Sequence, residues 1–143
     1  MTPKEECEAL LDALIPAAEN LLRKNGQFYP IGAALTNEST ISLTAVSYGD
    51  DEFPESQRVI DDLTSAHCRM AEQNEIKASG IAWDATITAP DGKKSDAILI
   101  SLEHVSGYSV MVGVPYVIGV FKKVKLGELF AQSDLHNVFQ AES

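Results

Sequence analysis

The groups in this chain that could do chemistry are three histidines (His67, His104, His136), two cysteines (Cys7, Cys68) and 21 carboxylates. Nucleophilic catalysis needs a nucleophile beside a base, and that base beside an orienting group. No G-x-S-x-G elbow is present. His67 adjoins Cys68, but neighbours on a helix point about 100° apart and form no dyad by themselves. Glu103 and His104 are the other neighbouring carboxylate and imidazole; on a strand their side chains point to opposite faces. The sequence therefore assigns no catalytic residue. A site assembled only in three dimensions stays open as an alternative, for an enzyme or a small-ligand sensor, with His104, Glu103, Tyr108 and Asp84 as the residues to inspect.

Metal binding has little to build on. No H-E-x-x-H, H-x-H or paired-cysteine spacing occurs, so no metal ligand and no cofactor is assigned. Asp50, Asp51, Glu52 and Glu55 are the densest carboxylate cluster but lack the EF-hand spacing, and are taken instead as candidate partner-binding residues on an acidic loop. Cys7 and Cys68 read as reduced structural thiols.

Charge is more informative. The 143 residues carry 11 Lys+Arg against 21 Asp+Glu, a formal net charge of -10. Nucleic acid and anionic membrane are thereby disfavoured as partners. Residues 1–75 hold 14 acids and 5 bases, and residues 76–143 hold 7 and 6. If the two helices and the loop of the first half lie together, they form one acidic face that would draw in a basic protein. The longest apolar run, Val110 to Phe121, is too short to span a bilayer. The opening residues have no basic stretch before an apolar run, so no signal peptide is read and a cytoplasmic location is expected.

These groups must be held by elements the pattern predicts. Thr2-Pro3-Lys4-Glu5 starts a helix, with Thr2 as N-cap and Glu5 as capping-box partner. Cys7, Leu10, Leu11, Leu14, Ile15, Ala18, Leu21 and Leu22 continue it at helical spacing, Pro16 should kink or break it, and Asn25-Gly26 ends it. Phe28–Thr36 and Thr40–Tyr48 read as a hairpin, residues 49–54 as loop, and 55–74 as a second helix with Val59, Leu63, Ala66 and Met70 inward. Gly80–Ala89, Asp96–His104 and Tyr108–Lys122 read as a three-strand meander, and Glu128–Gln132 as a short helix.

The expected fold is therefore one α+β domain, a five-stranded antiparallel sheet with helices packed on it, in the order α-β-β-α-β-β-β-α. That order resembles profilin-like and roadblock-like domains, in which the last strand lies beside the first. Pro30 and Gly32 in the first strand would then face Gly113 and Pro115 in the last across a broken ladder. A small groove lined by Phe28, Tyr29 and Tyr116 is the candidate ligand site there.

Gln27-Phe28-Tyr29-Pro30-Ile31-Gly32-Ala33-Ala34-Leu35, followed by a helix and then Lys94-Ser95-Asp96-Ala97-Ile98 running into Glu103-His104, is similar to a group of small bacterial α+β proteins with a G-x-F-x-P-x-x-A-A pattern. The resemblance implies no activity and no site residues. The functional expectation is a non-catalytic protein-binding or self-associating domain, using the acidic half or an apolar strand edge. An immunity-type neutraliser of a basic toxin is a narrower version.

Overall fold

The computed structural model describes residues 1–44, 55–88, 91–133 and 138–139. The first helix, α1 (Pro3–Asn25), begins as its sequence dictates. The Thr2 hydroxyl accepts from the Glu5 N–H at 3.1 Å, and the Glu5 carboxylate accepts from the Thr2 N–H at 3.2 Å. Gly26 closes it with φ 76°, donating to the Leu22 carbonyl, a left-handed cap that glycine adopts without penalty. Pro16 lies within α1 without breaking it. The helix survives because Leu10, Leu14, Ala18 and Leu22 are fully buried around the proline, and each buried leucine contributes roughly 1.5–3 kcal/mol.

Next come β1 (Ile31–Thr36), β2 (Ile41–Thr44), α2 (Ser56–Glu72), β3 (Ile76–Thr88), β4 (Lys94–His104) and β5 (Ser109–Ile118). A 3₁₀ turn over Val120–Lys122 leads to β6 (Val124–Leu126) and β7 (Phe130–Ser133). All pairings are antiparallel, and the sheet runs β2-β1-β3-β4-β5-β6, with β7 on β5. The α+β class stands, but the five-stranded sheet is corrected to seven strands among the described residues. Two strands arise where the sequence pattern showed none: the predicted last strand stops at Ile118, its end forms the 3₁₀ turn after which β6 runs back, and the predicted short helix at Glu128–Gln132 is β7 instead.

The order of strands is corrected too. β5 pairs with β4, β6 and β7, and β1 pairs with β2 and β3, so first and last long strands are not neighbours. Pro115 is consistent with this, because β5 is the outermost long strand and only short segments complete its far edge.

The helices lie on opposite sides of the sheet. A Cβ built on Gly80 would meet Leu14 and Leu10 of α1, whereas one on Gly32 would meet His67 and Leu63 of α2. Gly32 pairs with Ile81, the residue next to Gly80, and successive strand residues face opposite ways. The α1 side holds the main core, in which Ala33, Leu35, Ala78, Ala82, Ile98, Ile100, Leu102, Val112 and Val114 meet the helix. On the other side Val59, Leu63 and Ile81 form a smaller cluster, and Val138 and Phe139 cover Ala34 and Ile76.

Candidate functional site

Three places bring polar or apolar groups together in ways that bear on function. The first is a buried relay at the start of α1. Glu6, 7% exposed, receives Lys77 Nζ at 2.6 Å and His104 Nε2 at 3.1 Å. The lysine bond is the main cause holding the Glu6 carboxyl below its ordinary value, the imidazole adding to it against the cost of burial. His104 Nδ1 accepts the Ser106 N–H at 3.0 Å, which leaves Nε2 as the protonated nitrogen donating to Glu6. The Ser106 hydroxyl is 2.9 Å from the same Nδ1, so hydroxyl, imidazole and carboxylate fall in a line. They do not make an activated nucleophile. The single Nδ1 lone pair is taken by the Ser106 backbone, and the serine sits in the tight turn where Gly107 N–H donates to the His104 carbonyl at 3.0 Å. This relay braces the β4–β5 turn against α1 and β3.

Glu103, beside His104, points to the other face as its strand position requires. Both its carboxylate oxygens accept the Val138 N–H at 3.1 Å, which ties the end of the chain to β4. The other described imidazole, His67, is wholly buried. Its Nδ1 lies 2.6 Å from Ser79 Oγ and its Nε2 2.7 Å from Thr44 Oγ1, joining α2 to β3 and β2. Burial holds its pKa down at about 4. Burial likewise pushes the Cys7 thiol up to about 12, helped by the Glu6 and Glu103 charges, and takes it out of the reactive range. His136 lies outside the described residues, and no group of three or more His, Cys, Asp or Glu that could hold a metal occurs among those described.

The second place is a cleft of about 630 Å³ at the α1–β1 junction, with Phe28 and Tyr29 on its wall together with Leu21, Asn25, Ser56 and Asp84. The groove expected between β1 and β5 has no shared ladder to interrupt, because those strands are not adjacent. Two of its three aromatics nevertheless line a concavity, where the Phe28-Tyr29-Pro30 segment leads from α1 into β1 near Asp84 of β3. Phe28 is buried and Tyr29 is 42% exposed. Tyr116, also buried, acts from behind the wall, where its hydroxyl donates to Asp84 Oδ1 at 2.6 Å. Asp84 is raised above the ordinary carboxylate range by burial, which the Tyr116 bond and a backbone bond from Phe28 partly offset. Tyr116 is raised in turn, by burial and then by its bond to Asp84.

The third place is the β5–β6 hairpin. Val117 is 64% exposed, Val120 76% and Phe121 97%. Leu126, Leu129 and Phe130 are also exposed, at 36%, 49% and 40%. Phe121 and Lys122 hold left-handed backbone, with φ 61° and 59°. For a non-glycine residue that conformation costs roughly 1–2 kcal/mol, and nothing is recovered by burying the Phe121 ring within this chain. Lys122, Lys123 and Lys125 surround it and no acid lies between Val117 and Gly127, so the hairpin is basic on an acidic chain.

The acidic face expected from the first half divides instead. α1 and α2 carry their charges on opposite sides of the sheet, Asp50, Asp51 and Glu52 lie outside the described residues, and Glu55 is the exposed N-cap position of α2 without a capping side-chain bond. No protein-family model, no curated protein and no solved structure matches this chain. No helix among the described residues is long and apolar enough to cross a membrane.

Proposed function

We propose that this chain is a non-catalytic protein-binding domain whose contact surface is the β5–β6 hairpin, with Phe121 as the anchor. The observation that carries the reading is the 97% exposed Phe121 ring held out on left-handed backbone between Val120 and Lys122. Backbone strain persists where something outside the local fold makes use of it, and binding anchors are commonly aromatic side chains that enter a partner's pocket. Three lysines beside the ring define the partner's chemistry: an apolar pocket rimmed by carboxylates, on another protein or on a second copy of this chain.

A photo-crosslinking residue at position 121, with light scattering over a range of protein concentration, tests the reading. Crosslinked adducts, or a mass that rises above the monomer and falls back in Phe121→Asp, are the expected results. A monomer at every concentration that yields no adduct from cells would refute it.

A further inference from the structure

We propose that the cleft between α1 and β3 is a binding site for a small organic cation, an alkylammonium or guanidinium group on an apolar body, with Asp84 as its counter-ion and Tyr29 against its face. The volume of about 630 Å³ lies inside the range of natural small-molecule sites. Its walls are Leu21, Phe28, Tyr29 and Pro30 with a few polar groups from Asn25, Gln27 and Ser56, the mixture of apolar lining and sparse polar contacts such sites use.

What selects the charge is the carboxylate. Asp84 is half-buried in the wall, and among the described residues no Lys, Arg or His pairs with it and none lines the cleft. Its hydrogen bonds come from neutral donors, the Tyr116 hydroxyl and the Phe28 backbone, and a second carboxylate, Asp96, acts on it with the same sign of charge. A partly desolvated negative charge without a counter-ion is costly for the folded chain, and a cation that enters the cleft removes that cost. Tyr29, 42% exposed at the rim, offers a ring face to the same cation. A metal ion fits less well, since one carboxylate and neutral amides provide too few hard ligands. Burial that pushes the Asp84 carboxyl upward agrees with the geometry, because a bound cation would bring it back down.

The test is an NMR titration of the full chain with phenethylamine and agmatine, beside 2-phenylethanol as neutral isostere and phenylacetate as anionic one. The amines should shift the Asn25, Tyr29 and Ser56 amides saturably and bind about tenfold or more tightly than the alcohol, and phenylacetate should not bind. Asp84→Asn should remove the preference for amine over alcohol. Tyr116→Phe, which takes away the structural bond and leaves the charge, should retain it. Equal binding of amine and alcohol, no saturable shift at millimolar amine, or equal losses in the two variants would each overturn the proposal. If Asp84→Asn fails to fold, the comparison of amine with alcohol in the native chain decides.

Discussion

His67 carries a proton ledger that can be read from its surroundings. Both partners, Ser79 and Thr44, are hydroxyls that could serve the neutral or the charged ring, so the missing solvent, not a hydrogen bond, keeps it neutral. Its folded pKa of about 4 lies below the 6.5 of an unfolded chain. The unfolded state therefore takes up a proton first as pH falls, and stability contributed by the neutral ring is full above pH 6.5 and lost on the way down to about 4, by up to roughly 3 kcal/mol. Glu6 adds a second loss at lower pH: its carboxyl is held below 4.5, so its contribution is present above that value and disappears as pH falls through the folded pKa. Urea midpoints measured across pH should fall steeply between 6.5 and 4 in the native chain, and His67→Gln should flatten that slope while lowering stability at pH 7. An unchanged slope in the variant would show that other groups titrate there. None of this was legible in the sequence. The spacing placed His67 on α2, but Ser79 and Thr44 are 12 and 23 residues away, and only the crossing of α2 over β1 to β3 brings them to the ring. Glu6 and His104 meet across 98 residues, which no local pattern could announce.

At the scale of elements, glycines locate the tightest contacts. A Cβ at Gly113 would stand 2.1 Å from Cζ of Phe130, so the ring occupies the space that only glycine leaves open. Gly113→Ala should push the ring away, release β7 and cost about 1–3 kcal/mol. In a Phe130→Ala background the same change should cost little, a coupling that a double-mutant cycle by chemical denaturation reads directly. Gly80→Ala should act on the other face, since its Cβ would lie 2.8 Å from Leu14 Cδ1 and 3.1 Å from Leu102 Cδ2, and should lower the melting temperature by forcing α1 outward. The elements themselves were partly readable. The termini of α1 and the body of α2 follow from caps and periodicity, where local physics decides. β7 did not, because Phe130–Ser133 is four residues without alternation, and its strand conformation comes from pairing with Val110–Gly113, seventeen or more residues back along the chain. Pro16 misled in the opposite direction, as buried leucines on both sides outweigh one absent hydrogen bond.

For the molecule as a whole, the order of strands decides what the charges can do. The meander β3-β4-β5 could be read from its turns, but the packing of α1 and α2 on opposite sides of the sheet could not, and it divides the acids of the first half. The surface left with a distinct character is the basic, apolar hairpin. If it is the contact surface, binding should weaken as ionic strength rises, and charge reversal of Lys122, Lys123 and Lys125 should slow association more than it speeds dissociation. Surface plasmon resonance at low and high salt separates the two rates. Phe121→Asp should instead speed dissociation and leave the melting temperature unchanged or higher, as it removes an exposed ring from strained backbone.

β5 is flanked on one side by β4 and on the other by two short strands in tandem, β7 against Val110–Gly113 and β6 against Tyr116–Ile118. During synthesis, β5 leaves the ribosome before either of them. For that interval its outer edge is a row of open amides and carbonyls on an apolar strand, the kind of template on which nascent chains stick to one another. β6 and β7 thus act as an in-built guard for the strand before them, and a stop codon after Ile118 would leave a chain that keeps the core under α1 but loses Val138 and Phe139 and leaves the β5 edge unprotected.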